Sequence, residues 1–292
     1  MKYRPLGKTG IQVSPYCLGA MMFGKMANPD HDECTRIVHK ALDFGINFID
    51  TADAYSRGES EEIVGKALKG RRDNVVLATK VFHPMGEDPN ERGGSRRWIK
   101  RAVDASLQRL QTDYIDIYQI HRPAPDTDVE ETLSAFTDLV REGKIRTFGS
   151  STFPASDLVT AHWIAERRGL LRFRTEQPPY SILNRSVERE VLPTCQQFGM
   201  GVMSWSPLAK GMLTGKYRQG QATPDTMRAR YFPKAMRDES SLNIVEQLIP
   251  LAQSAGTSLM NMALAFVVSH PAISAAIIGP RTIEHLDDLL AG

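Results

Sequence analysis

Short runs of consecutive apolar residues alternate along the chain with longer stretches in which apolar positions recur every three or four residues. The apolar runs fall at 16–18, 47–52, 75–81, 114–121, 145–151, 174–180, 201–207 and 273–279. Between them, a period near 3.6 predicts helices that include 34–44, 61–68, 98–110, 129–142, 157–168 and 187–198. Runs such as Val75-Val76-Leu77-Ala78 are apolar at consecutive positions. Strands buried on both faces read this way, so the pattern predicts parallel strands covered by helices. Gly45, Gly70, Gly143, Gly169, Gly199 and Gly256 each follow a periodic segment, where glycine can close a helix at positive φ. Ser60 before Glu61-Glu62, and Asp128 before Glu130-Glu131, read as N-caps. Eight strand-then-helix units predict one (β/α)8 TIM barrel domain over residues 1–292, with a doubly wound open sheet as the alternative.

Two places depart from the alternation. Residues 2–6 and 11–13 flank Gly7-Lys8-Thr9-Gly10, which predicts an N-terminal β-hairpin that closes one end of the barrel. Before the last strand there is extra chain, a polar stretch over 218–239 and then a helix over 242–254. An insertion of that kind on the catalytic side reads as a lid or cofactor clamp.

Composition narrows the function classes. Hydrophobic residues make up 41% and charged ones 24%, which excludes disordered, collagenous and coiled-coil chains. A net charge of +2 argues against a nucleic-acid binder, which needs a basic excess on one face. Cys17, Cys34 and Cys195 are far apart and form no CxxC pair, so a disulfide framework or zinc site is not expected and a reducing cytoplasm is. MKYRPLGKTG carries no signal-peptide core. Residues 247–280 hold no Asp, Glu, Lys or Arg, but Gln253, Gly256, Asn261 and His270-Pro271 break them into pieces that suit two buried core elements better than a membrane span.

Barrel chemistry belongs at the C-terminal strand ends. Those ends supply Asp50, Lys80 and His121, with Tyr55 in the loop after Asp50. Taken singly, they read as a strand-end cap, a salt-bridged lysine, a loop histidine and a surface aromatic. Together they form an acid, a cation, an imidazole and a phenol on one rim. A phenol titrates near ~10, and an ammonium ~4 Å away contributes about 4 kcal/mol at an effective dielectric of 20, in the direction of acidity and against desolvation. Asp50 offsets the burial of Lys80, and His121 can donate a hydrogen bond to a carbonyl oxygen. That constellation suits proton donation in carbonyl reduction, with a hydride source supplied separately.

The chain resembles the aldo-keto reductases in GINFIDTADAYSRGESEEIVGKAL (45–68), VVLATKV (75–81), SLQRLQTDYIDIYQIHRP (106–123), REGKIRTFGSS (141–151), SWSPLAKGMLTGKY (204–217) and AIIGPRT (276–282). The resemblance implies that Asp50, Tyr55, Lys80 and His121 are the family's catalytic four, with Tyr55 as general acid. It also implies NADPH bound along the rim, and no GxGxxG follows a strand here. By the same resemblance Ser151 and Gln177 hold the nicotinamide carboxamide and Trp205 stacks on the ring. Ser206, Leu208 and Gly211 lie along the pyrophosphate. Gly279, Arg281 and Thr282 open the last helix at the 2′-phosphate.

There are three departures from the family pattern. Thr152 stands where Asn is frequent, His285 and Leu289 replace Gln and Asn near the adenine, and the chain ends at Gly292, where many relatives continue into a substrate-lining tail. The implied function is NADPH-dependent reduction of small aldehydes or ketones, without nucleic-acid or membrane partners and with the oligomeric state open. The alternative is a cofactor-binding regulatory subunit resembling the potassium-channel beta subunits. A metal-dependent hydrolase or lyase ranks behind both. His31, His39, His83, His162, His270 and His285 show no shared metal spacing, and His31 and His83 could line the substrate mouth.

Overall fold

The computed structural model describes residues 1–291; Gly292, the last residue of the expected domain, lies outside the described residues. Eight parallel strands close into a barrel in the order β10-β3-β4-β5-β6-β7-β8-β9. They are β3 (Tyr16–Gly19), β4 (Phe48–Asp50), β5 (Val76–Val81), β6 (Ile115–Ile120), β7 (Ile145–Ser151), β8 (Thr175–Gln177), β9 (Gly201–Ser204) and β10 (Ile273–Ile278). Each coincides with a predicted apolar run, and the open-sheet alternative falls away because β10 pairs with β3. Helices α1 (His31–Asp43), α2 (Glu59–Ala67), α3 (Arg96–Leu110), α4 (Val129–Arg141), α5 (Ala155–Arg168) and α6 (Val191–Phe198) cover the outside. All six glycines read as helix ends have positive φ.

Before the barrel, β1 (Arg4–Pro5) and β2 (Gln12–Val13) form the expected antiparallel hairpin. It plugs the floor: Leu6 and Val13 are fully buried with Cys17, Phe48, Ala78, Ile117, Met203 and Ala275. The approach is close. A Cβ on Gly7, whose φ is +54°, would stand 2.3 Å from the Gly201 backbone nitrogen. The extra chain before β10 contains a short α7 (Met227–Tyr231) and then α8 (Glu239–Ser254), which is followed by α9 (Leu259–Ser269). The charge-free stretch is thus divided among α8, α9 and β10. Among the described residues no single helix is long and apolar enough to cross a membrane, and α8 and α9 meet at 91°.

Two local expectations are corrected. Ser60 is not a cap: α2 begins at Glu59 after Gly58, whose φ of 94° turns the chain, and the Ser60 hydroxyl instead donates to the Ala20 carbonyl at 2.8 Å. The predicted helix over 187–198 is broken. Residues Ser186–Glu188 make a 3-10 turn and α6 starts only at Val191, because Pro193 fits no later than the first helical turn. Asp128 caps α4 as expected, its carboxylate accepting from the Glu130 N–H.

Candidate active site

Strand alternation carries the barrel interior from an apolar floor to a polar rim. Side chains two apart point the same way. Phe48, Ala78 and Ile117 lie in the floor, so Asp50, Lys80 and Gln119 form the next layer inward, while Ile49, Leu77 and Tyr118 pack outside against the helices. The register sets Lys80 beside Gln119 and Asp50 beside Ala78. Three chemistry-bearing side chains therefore converge without any loop having to place them.

Lys80 has no exposed surface. Its Nζ donates to Asp50 Oδ2 at 2.6 Å, to the Thr51 carbonyl at 2.7 Å and to Tyr55 Oη at 3.3 Å. Burial works against the ammonium, but the Asp50 charge, with the hydrogen bonds to Asp50 and Tyr55, outweighs it and holds the Lys80 pKa above its ordinary value. Asp50 Oδ1 also accepts from Gln177 Nε2 at 2.8 Å and from Gln119 Nε2 at 3.3 Å. Both carboxylate oxygens are thus satisfied, as a buried charge requires.

Tyr55 opens a 3-10 turn, Tyr55–Gly58, in which Ser56 and Arg57 are left-handed at φ 47° and 56°. Its ring meets His121 edge-on with centroids 5.8 Å apart, and His83 meets His121 at 4.7 Å. Burial raises the Tyr55 pKa, with Lys80 pulling it down against that. The expected lowering by Lys80 is real in sign but smaller than the desolvation of the phenolate, so the phenol keeps its proton. His121 is nearly buried, and desolvation with the Lys80, His83 and Arg122 charges drives its pKa far down. The imidazole is neutral, and its Nδ1 is buried without a partner.

The remaining predicted residues lie along the same rim. Ser151 ends β7 and its Oγ donates to the Gln177 carbonyl at 3.0 Å. Trp205 follows β9, half-buried, with an indole N–H that has no partner. Ser206 is left-handed at φ 58° and its Oγ accepts from the Lys210 N–H at 2.9 Å. After Leu208 the turn Ala209–Thr214 carries Lys210 and Gly211 at φ 58° and 99°, and a Cβ on Gly211 would meet nothing nearer than 3.8 Å. Gly279 follows β10 and is equally open, with 3.9 Å to its nearest neighbour. Thr282 caps α10 (Ile283–Leu290), accepting from the His285 N–H at 3.3 Å. Arg281, just before it, has its backbone carbonyl held by Asn28 and no acidic partner for its guanidinium among the described residues. Among those residues no three His, Cys, Asp or Glu side chains converge as metal ligands would.

The model of the aldo/keto reductase family matches residues 15–291. The chain belongs to this family. An uncharacterised oxidoreductase, YrpG of Bacillus subtilis (strain 168), is 42% identical, the match covering 99% of this chain and 90% of that protein. A probable voltage-gated potassium channel subunit beta of Oryza sativa subsp. japonica is 37% identical over 96% of this chain and 87% of that protein. Versiconal hemiacetal acetate reductase of Aspergillus parasiticus is 35% identical over 100% and 92%.

Four residues of this aldo/keto reductase were not singled out from its sequence. Gln119 bonds Asp50, and the strand period would have found it, midway between Ile117 and His121. Lys216 adds its charge to that of Arg281 at His285, lowering the pKa that burial already depresses; it lies inside the motif 204–217. Glu176 is fully buried between Ser150, whose hydroxyl donates to it, and the Phe153 N–H at 3.2 Å. Arg122 donates from Nη1 to the His121 carbonyl at 2.6 Å and to Thr152 Oγ1 at 3.3 Å. Thr152 stands at φ 62°, a left-handed conformation that asparagine tolerates and a β-branched residue does not favour. The Arg122 contact braces it.

Proposed function

We propose that residues 1–292 form one reductase domain that uses NADPH to reduce small aldehydes or ketones, with Tyr55 as the proton donor. One observation carries the reading: a buried ammonium, Lys80, stands 2.6 Å from Asp50 and 3.3 Å from the Tyr55 hydroxyl on the strand-end rim of a closed barrel. The residues present fit the cofactor. An indole at Trp205 and a guanidinium at Arg281, each without a partner among the described residues, and open glycines at 211 and 279 lie along one rim that ends at a helix N-terminus. Ser151 and Gln177 would hold a carboxamide, Trp205 would flank the ring, and Ser206, Leu208 and Gly211 would follow the pyrophosphate. Gly279, Arg281, Thr282 and Lys216 would meet the 2′-phosphate. When bound, the reduced nicotinamide supplies the hydride.

The chain's own groups do the rest. A neutral His121 whose Nδ1 is buried carries its proton on Nε2 and donates it as a hydrogen bond to the substrate oxygen, orienting the carbonyl. Tyr55 holds a proton on Oη and passes it to that oxygen as negative charge builds there. The resulting phenolate is stabilised by Lys80, an interaction strong in the transition state and weak before it, which is the kind that accelerates chemistry. Asp50 keeps Lys80 charged and fixed. The test is NADPH oxidation with an activated aromatic aldehyde beside Tyr55→Phe. Loss of turnover by at least about a hundredfold is expected, with NADPH affinity retained in a fluorescence titration. An active Tyr55→Phe enzyme would remove the assignment.

The relative described as a potassium channel subunit favours a second reading, a cofactor-binding regulatory subunit. That reading expects tight NADPH binding with negligible turnover of every aldehyde, together with an assembly in sizing experiments.

A further inference from the structure

Arg122 follows His121 directly and is half-buried at the mouth of the site. Its Nη1 is spent on the His121 carbonyl and Thr152 Oγ1. Two acceptors therefore hold the guanidinium in one orientation. Its Nε and Nη2 have no partner among the described residues, and the side chain is partly exposed. No carboxylate forms an ion pair with it among the described residues. Glu176, the acid whose charge interacts with it, is buried and already bonded to Ser150 and Phe153.

The groups around it establish which way its charge looks. Arg122 disfavours the cationic forms of both His121 and His83 and favours the phenolate of Tyr55. Tyr55 and His83 each meet the His121 ring edge-on, so the three rings stand side by side. His83 and His121 are neutral there, and Lys80 is neutralised by Asp50 beneath them. Arg122 thus brings to the mouth a pre-oriented cation with no ion-pair partner among the described residues. A planar guanidinium presenting a free N–H edge matches a carboxylate, and orienting it beforehand reduces the entropy lost on binding.

We propose that Arg122 receives an anionic group on the substrate, so that the preferred substrates are oxo acids, carbonyl compounds carrying a carboxylate. The assignment rests on the reductase reading and narrows its substrate class. It places Arg122 as a specificity residue, separate from the hydride and proton steps.

The experiment compares kcat/KM for ortho, meta and para carboxybenzaldehyde with the corresponding methyl formylbenzoates, which keep the shape and lack the charge. For the best isomer the parent enzyme is expected to prefer the acid by about tenfold or more, the factor that 1.4 kcal/mol makes. Arg122→Met should bring that ratio close to one, and Arg122→Lys should keep only part of it, since an ammonium lacks the fork. Equal efficiency for acid and ester in the parent would overturn the proposal without any variant. So would a parallel loss on both substrates in Arg122→Met that leaves the ratio intact, because the arginine would then act only through His121 and Thr152. Turnover of the esters keeps the reductase reading standing in either case. No turnover of any aldehyde would remove both.

Discussion

Glu176 gives a sharp test at the level of one side chain. It is a fully buried acid with hydrogen bonds from Ser150 and Phe153 and no contacting cation, and burial raises its pKa from 4.5 to about 7. The folded chain therefore binds this proton more tightly than the unfolded one. The stabilisation is complete below pH 4.5 and is lost as pH rises through 7, a total of roughly 3 kcal/mol. Glu176→Gln removes the titration, and the Ser150 hydroxyl can rotate to accept from the new amide. The variant should melt a few degrees higher than the parent at pH 8 and show a flatter dependence between pH 5 and 8 in thermal unfolding. An unchanged pH profile would show that the Glu176 proton is not the one gained on folding. Asp50, Lys80 and His121 were legible together because they end three successive apolar strands, and Tyr55 because it lies in the loop after Asp50 within a motif that resembles the family. Gln119 was legible in the strand period and passed over, whereas Glu176 and Arg122 were not legible, since an acid and a guanidinium near a strand end look like ordinary surface until burial and pairing are known.

Among the elements, the hairpin and the strands divide the labour between the two ends of the barrel. Leu6 is buried in the floor, in one cluster with inward residues of six strands. Leu6→Ala should cost roughly 2–5 kcal/mol of stability in denaturant unfolding, while kcat per folded molecule stays at the parent value, because the rim chemistry sits a full layer of side chains above. A matching fall in kcat would mean that the floor sets the position of Lys80 and Asp50. Strand positions were readable because double-sided burial leaves consecutive apolar residues. Helix beginnings were less so. Pro193 delays α6, and the left-handed turn at Ser56, Arg57 and Gly58 brings α2 forward past Ser60. Both shifts come from backbone geometry that side-chain periodicity does not record.

At the scale of the whole molecule, the proposed cofactor residues come from the ends of β7, β8, β9 and β10 and from the start of α10, so one bound dinucleotide would tie together most of the second half of the barrel. NADPH at a hundred times its dissociation constant should stabilise the fold by about 3 kcal/mol, visible as a raised Tm. In Arg281→Ala the affinity for NADPH should fall much further than that for NADH. Equal losses would move the 2′-phosphate away from Arg281.

The pairing of Tyr16 with Ala276 also bears on how the chain is made. The first strand of the barrel finds its second neighbour only in the last one, so during synthesis β3 keeps one edge bare until β10 has left the ribosome. Local βα units can form in order as they emerge, but the circle closes only once β10 is free to pair, and that last step is where a slow phase, or a need for chaperones, would arise.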